Sequence, residues 1–303
     1  MDTTTTQSRG IEAKALLAQV KQGVASIYQS GAWREALLYN AKFWNYSFGN
    51  QLLIVMQKPT ASRVAGFQTW KAQGRMVKKG EKGLAILRPM FLGQASGKAN
   101  VIDTANNNAV IGTVDKKQGF GLKGFAVTYV FDISQTDGKA VPDYIHKLKG
   151  AAPAGLVAAL KAFALGQGVS VRYDAMKAST GGFVHKSLLG TGPAEIVLNV
   201  ANDEAQQAKT LIHELGHFMA GHLEKRGQDL TQEARELEAE STAFIVGTAL
   251  GVDFSEYSFG YLANWAASME AEARDKALEK AGTLAASIAK KILEGIGQAE
   301  KLA

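Results

Sequence analysis

The 303-residue sequence has no cysteine, only five prolines and no long uncharged apolar run. Without cysteine there is no disulfide framework, no cysteine-ligated zinc, no iron–sulfur cluster and no thiol nucleophile. The longest strongly apolar stretch, residues 243–252, is far shorter than the roughly 20 residues that cross a bilayer. The first ten residues also lack the apolar core of a secretory signal. These absences predict a soluble, cytoplasmic protein that does not bind membranes.

Charge is distributed unevenly along the chain. Residues 1–150 contain 20 basic and 9 acidic side chains, a net charge of +11, whereas residues 151–303 contain 14 basic and 19 acidic ones, a net charge of −5. A basic half beside an acidic half indicates two tasks, one of which is binding a polyanion. We therefore predict two domains, residues 1–150 and residues 151–303.

The periodicity of apolar residues predicts an α+β protein. In the first domain, helices precede a small, mostly antiparallel sheet with strands at 84–87, 108–114 and 125–131. The second domain is predicted to be mostly helical with a small sheet, and the histidine motif described in the next paragraph makes it zincin-like. Within it, Asn202 or Asp203 is expected to cap one helix and Thr231 the next.

The strongest chemical signal is the segment 209–221, KTLIHELGHFMAG. His213 and His217 are four residues apart, so on a helix they project from one face and can ligate a single ion. Glu214 can reach a water bound to that ion and act as a general base. The pattern predicts a divalent metal site for hydrolysis, with Zn²⁺ as the default and Mn²⁺ as an alternative.

A zinc site needs a third protein ligand, and the next helix offers several carboxylates. Glu236 and Glu240 share a face that leads into the apolar residues 243–245. We predict Glu240 as the ligand, with Glu236 as its hydrogen-bonding partner or as the alternative ligand. Glu233 and Glu238 are interpreted as solvated.

His222 follows His217 by five residues, which on a continuous helix is about 140° away from the ligand face. It is therefore interpreted as a surface histidine. Tyr257 and Tyr261 are candidate donors to a transition state, although aromatic residues at such positions more often belong to the core.

The first half contains a cluster of cations with interleaved aromatic rings. Residues 63–88 hold seven basic side chains but only one acidic residue, Glu81. Phosphate neutralisation and ring stacking are what a single-stranded nucleic acid requires. The predicted DNA-binding residues are Arg75, Lys78, Lys79, Lys82 and Trp70. The alternative is a solvated basic loop with Trp70 in the core.

Six segments of the sequence follow one another in a recognisable order: residues 46–54, 64–70, 74–83, 130–138, 210–217 and 236–251. In this order they resemble the ArdC-type antirestriction proteins of plasmids. The resemblance covers about residues 30–295. It implies a domain that binds single-stranded DNA, followed by a metallopeptidase-type domain whose motif matches His213, Glu214 and His217. It also implies a bacterial protein that protects incoming plasmid or phage DNA from host restriction enzymes.

Three functional interpretations remain open at this level. The first is an antirestriction protein that binds single-stranded DNA and carries a metal site. The second is a cytoplasmic zinc metallopeptidase whose basic domain recruits it to proteins bound to DNA. The third is a non-catalytic DNA-binding module with a structural metal. Double-stranded DNA and restriction enzymes are alternative partners.

Overall fold

A computed structural model describes residues 3–27, 30–91, 122–140, 153–186, 193–252 and 259–299. It divides into two compact units. The first is formed from residues 1–27 and 45–143, and the second from residues 28–44 and 144–303. The segment 28–44 therefore packs in the second unit, although it lies early in the sequence. The predicted boundary between residues 150 and 151 lies outside the described residues.

Helices and strands are numbered in chain order. The helices are α1 (Thr3–Ser26), α2 (Ser30–Lys42), α3 (Phe48–Gln57), α4 (Phe67–Ala72), α5 (Leu156–Gly166), α6 (Glu204–Met219), α7 (Lys225–Gln228), α8 (Gln232–Leu250), α9 (Leu262–Ala267) and α10 (Ala271–Ala299). The strands are β1 (Val64–Ala65), β2 (Arg75–Val77), β3 (Leu84–Phe91), β4 (Leu122–Asp132), β5 (Thr136–Gly138), β6 (Val169–Asp174), β7 (Gly182–Lys186) and β8 (Ala194–Asn199). This mixture confirms the α+β class. The predicted strand at 108–114 lies outside the described residues.

The first unit is built around the antiparallel sheet β1-β4-β3, with β2 and β5 forming a separate antiparallel pair. Helix α3 packs against β3 through two amide side chains two helical turns apart. Asn50 exchanges two hydrogen bonds of 2.9 Å with the backbone of Leu87, and Gln57 exchanges two of 2.8 Å with that of Ala85. These side chains satisfy backbone groups of β3 that would otherwise form an open sheet edge.

The buried carboxylate of Asp132 organises the turn after β4. One of its oxygens accepts hydrogen bonds from the backbone N–H groups of Ser62 (2.8 Å) and Arg63 (3.1 Å), and the other accepts from Ser134 (2.9 Å). Burial alone would raise the pKa of Asp132, but these hydrogen bonds outweigh it and lower the pKa below its ordinary 3.8. The carboxylate therefore stabilises the fold in its ionised form.

Replacing this carboxylate should destabilise the first unit in a pH-dependent way. We expect Asp132→Ala to lower the free energy of unfolding by about 3 kcal/mol at pH 7, because three backbone N–H donors lose a charged acceptor. Since the folded pKa is lowered, the contribution is present above pH 3.8 and disappears as the pH falls through the folded value. Urea unfolding at several pH values measures it, with the exposed Asp137→Ala as the control. A gap between wild type and Asp132→Ala that does not change with pH would contradict this role.

The second unit contains a three-stranded sheet in which β8 is central, parallel to β6 and antiparallel to β7. Helices α6 and α8 pack closely because Gly216 faces Ala239. A Cβ atom on Gly216 would lie 3.1 Å from the Ala239 Cα atom. Helix α2 packs against α8, where the buried Trp33 indole donates to the Ser241 hydroxyl at 3.0 Å. In the described part of the chain, no helix combines the length and apolar character needed to span a membrane.

Candidate metal centre and basic surface

The two motif histidines lie on α6, on the face predicted from their spacing. The helix begins after Asp203, whose carboxylate accepts a hydrogen bond of 2.8 Å from the backbone N–H of Gln206. Leu211, Ile212 and Leu215 are fully buried and fix the rotation of the helix. The Nε2 atoms of His213 and His217 consequently lie 3.1 Å apart.

Glu236 on α8 completes a three-residue cluster. Its Oε2 atom lies 3.6 Å from His213 Nε2 and 3.5 Å from His217 Nε2. Ligands at 2.0–2.1 Å from a tetrahedral ion are about 3.3–3.4 Å apart, so these separations fit one divalent metal. Among the described residues, this trio is the group of histidines and carboxylates whose ligand atoms approach closely enough to hold an ion.

Glu236, the alternative ligand in the sequence analysis, is the carboxylate that lies beside the two imidazoles, and Glu240 is not part of this cluster. Glu240 lies one turn further along α8, where its carboxylate accepts a hydrogen bond of 2.8 Å from the Tyr261 hydroxyl. Tyr261, a sequence-based candidate for a transition-state donor, therefore contacts Glu240. Tyr257, the other candidate, lies outside the described residues.

Burial controls the protonation of the motif residues. It is the main cause that lowers the pKa of His213 to about 4, with the neighbouring His217 as the next cause. His213 is therefore neutral at pH 7, which is the form that ligates a metal. Burial also raises the pKa of Glu214 to about 6, although its carboxylate accepts a hydrogen bond from the backbone of Val184 on β7. A carboxyl group with this pKa is suited to accept and return a proton near neutral pH.

Two residues that the sequence assigned to the surface are buried behind the histidines. The side chain of His222 is 3% exposed and that of Glu238 is 5% exposed. His222 lies between His217 and Glu238, and Arg226 forms an ion pair with Glu238. The interpretation of His222 failed because α6 ends at Met219, so the helical spacing used to place it does not apply.

The predicted DNA-binding lysines lie on an exposed loop between β2 and β3. Lys78, Lys79 and Lys82 all reach solvent. Lys78 Nζ donates to the Ser134 carbonyl at 3.1 Å and lies 3.7 Å from an Asp137 carboxylate oxygen. The loop thus presents a cluster of positive charge, and Lys78 connects the loop to the turn after β4.

Arg75 and Trp70 both form hydrogen bonds within the first unit. The Arg75 guanidinium donates to the Thr136 hydroxyl at 2.7 Å and the Thr136 carbonyl at 2.8 Å, which holds β2 to β5. Trp70 is 1% exposed, and its indole N–H donates to the Phe131 carbonyl at 2.8 Å. A buried ring cannot stack on a base, so the prediction for Trp70 is corrected, and its alternative interpretation as a core residue agrees with the structure.

Each half of the chain contains a segment that matches a known protein family. Residues 11–131 match the N-terminal domain of the anti-restriction factor ArdC, and residues 164–247 match the IrrE N-terminal-like domain of the M78 peptidase type. The chain therefore joins an ArdC N-terminal domain to an IrrE-like, peptidase-type domain. These two matches agree with the resemblance to ArdC-type antirestriction proteins seen in its sequence motifs.

An uncharacterised protein of Bacillus anthracis is 29% identical to this chain over an alignment of 325 residues, which covers 96% of the chain and 53% of that protein. The chain thus spans about half the length of this relative. Two crystal structures of the antirestriction ArdC protein from plasmid R388 are similar at 19% identity. The metal-free one has a TM-score of 0.46, covering 82% of this chain and 85% of the other. The Mn(II)-bound one has a TM-score of 0.44, with 83% and 84% covered.

Proposed function

We propose that this chain binds single-stranded DNA through its basic half and protects incoming plasmid or phage DNA from restriction enzymes in the bacterial cytoplasm. The observation that carries this proposal is the ArdC N-terminal domain match over residues 11–131. Within that domain, an exposed lysine loop supplies the positive charge that a DNA backbone requires.

The lysine loop is held in a defined shape. Gln135 donates from its side-chain amide to the Lys82 carbonyl at 2.8 Å and to the Glu81 carboxylate at 2.9 Å. Gly80 adopts a positive φ of 89°, which lets the chain reverse between the lysines. A fixed loop loses little conformational entropy on binding, so its cations can neutralise phosphates efficiently.

Tyr129 is the aromatic residue best placed to stack on a base beside this loop. It is 53% exposed on β4. Gly83, the residue that follows Lys82, lies directly beside Tyr129: a Cβ atom on Gly83 would be 2.8 Å from the Tyr129 Cβ atom. An exposed ring adjoining exposed lysines combines the two elements of a single-strand site. We propose that Tyr129 takes the stacking role that the sequence assigned to Trp70.

We expect Tyr129→Ala to weaken binding of an oligothymidylate by about 1–3 kcal/mol, the contribution of one stacked base. The dependence of affinity on salt should not change, because no phosphate contact is lost. Fluorescence anisotropy at several salt concentrations measures both quantities. Tyr129→Phe keeps the ring and should bind like the wild type, while Tyr173→Ala in the second unit is a matched control. Unchanged affinity of Tyr129→Ala would exclude the stacking role.

We further propose that His213, His217 and Glu236 hold a divalent ion, either Zn²⁺ or Mn²⁺. When bound, such an ion lowers the pKa of a coordinated water and polarises a carbonyl group. Glu214, adjacent to the first ligand and with a raised pKa, would accept the proton. This set favours a hydrolytic site over a purely structural one, because a structural site does not need a neighbouring base.

The experiment that tests this function compares binding of single- and double-stranded DNA of equal length by the wild type and by Glu214→Ala. We expect preference for the single strand in both proteins, since Glu214 lies outside the first unit. Glu214→Ala should also keep its metal and lose any hydrolytic activity. Absence of single-strand binding by the wild type would contradict the proposal and favour a metallopeptidase that acts on proteins.

A further inference from the structure

A continuous chain of polar groups lies behind His217, on the side away from the other candidate ligands. The Nδ1 atoms of His217 and His222 are 2.8 Å apart. His222 Nε2 lies 2.9 Å from a carboxylate oxygen of Glu238. Arg226 donates to both oxygens of that carboxylate, at 2.9 Å and 2.6 Å. Every distance in this chain is that of a hydrogen bond.

The ion pair at the end of the chain determines where its protons lie. Because Arg226 keeps Glu238 ionised, the carboxylate only accepts, so His222 must carry a proton on Nε2. Neutral His222 then presents a lone pair on Nδ1. His217 must supply the proton between the two Nδ1 atoms, which leaves the lone pair of His217 on Nε2. That atom faces His213 and Glu236.

The chain folds specifically to place His222 in this position. After α6 ends, Gly221 adopts a positive φ of 72°, and the His222 N–H donates to the His217 carbonyl at 3.1 Å. A Cβ atom on Gly227 would lie 2.0 Å from the His222 carbonyl oxygen, so only glycine permits this close approach. Arg226 also donates to the Ala220 carbonyl at 2.9 Å, which closes the loop.

We propose that His222, held by Glu238 and Arg226, is a positioning residue that fixes His217 in the tautomer and orientation needed to ligate a metal. This inference rests on the proposed metal centre. Partners of this kind behind a metal-ligating histidine typically change metal affinity by 10- to 100-fold. His222 would act entirely through His217 and would not contact the ion or a substrate.

The test measures Zn²⁺ affinity of the full chain by competition with a chelator. We expect His222→Phe, which fills the space but cannot accept the His217 proton, to bind Zn²⁺ about 10- to 100-fold more weakly. His222→Asn places an amide oxygen near the position of Nδ1 and should restore most of the affinity. His185→Phe, a histidine replacement outside the cluster, should bind like the wild type. The absorption spectrum of bound Co²⁺ should change in His222→Phe alone among these variants.

The outcomes separate this inference from the metal centre itself. If the wild type binds no ion, or if His217→Ala binds as tightly as the wild type, the metal centre is wrong. If His217→Ala loses the ion while His222→Phe retains wild-type affinity and the wild-type Co²⁺ spectrum, only the positioning role is wrong. Should His222→Phe fail to fold, His222→Leu, which also lacks an acceptor, decides: a loss of about 10-fold or more supports the role, and wild-type affinity overturns it.

Discussion

Reversing the charges of Lys78, Lys79 and Lys82 together should weaken binding of single-stranded DNA by about 100-fold at 0.1 M salt. Each phosphate contact contributes about 0.7 to the slope of log affinity against log salt, so three lost contacts lower the slope by about 2. If the two proteins bind equally at 1 M salt, a slope difference of about 2 makes the affinity of the variant about 100-fold lower at 0.1 M salt. Equilibrium titration over a range of salt concentrations measures both the affinity and the slope.

The matched control reverses three exposed lysines of the second unit, Lys177, Lys280 and Lys291. It changes the net charge of the chain equally and should leave the slope unchanged. If both triple variants lose affinity to the same extent, net charge and not the lysine loop drives binding. Far-UV circular dichroism checks that the loop variant is folded, since Lys78 also contacts Ser134 and Asp137.

His213→Ala and His217→Ala should each lose the bound metal. We expect the purified wild type to carry about one divalent ion per chain and both variants to carry almost none. A ligand bound only by the folded state stabilises it by about 4 kcal/mol at a concentration 1,000 times its dissociation constant. The variants should therefore lack the rise in unfolding temperature that added Zn²⁺ or Mn²⁺ gives the wild type.

A second pair of variants tests which glutamate is the ligand. Glu236→Gln should lose most of the metal affinity, because its carboxylate faces both imidazoles. Glu240→Gln should keep it, because Glu240 is hydrogen-bonded to Tyr261. Metal content measured by mass spectrometry decides between them. The opposite pattern would identify Glu240 as the ligand.

Local signals in the sequence predicted most of the scaffold around the candidate metal centre. Asp203 and Thr231 both cap helices as expected, because a short acceptor before an amphipathic stretch satisfies the free N–H groups of the first turn. The spacing of His213 and His217 placed both imidazoles on one face, because helix geometry alone determines that relation.

The choice between Glu236 and Glu240 depends on contacts that no local pattern encodes. Glu236 and Glu240 lie on one face of α8. The position of α8 along α6 therefore determines which of the two carboxylates lies beside the histidines. That position is set by the contact of Gly216 with Ala239. His222 was misplaced for a related reason, since the spacing argument assumed that α6 continues. Gly221, which adopts a left-handed conformation, was the one local sign that the helix ends before it.

The spacing of aromatic residues in the sequence also does not predict which of them are exposed. Phe67 and Trp70 occupy the same short helix, yet Phe67 is 42% exposed and Trp70 is 1% exposed. The difference arises because Trp70 turns toward β4 and bonds to the Phe131 carbonyl. Tyr129 lies 47 residues beyond Lys82, so the sequence does not indicate that it is near the lysine loop. The pairing of β3 with β4 brings it next to Gly83.

Protection of incoming DNA in cells with an active restriction system tests the central proposal most directly. The number of transformants or transconjugants should rise when the wild type is expressed. The rise should persist with Glu214→Ala and disappear with the charge-reversed variant at Lys78, Lys79 and Lys82. Full protection by that charge-reversed variant, or no protection by Glu214→Ala despite normal DNA binding, would contradict antirestriction through single-strand binding.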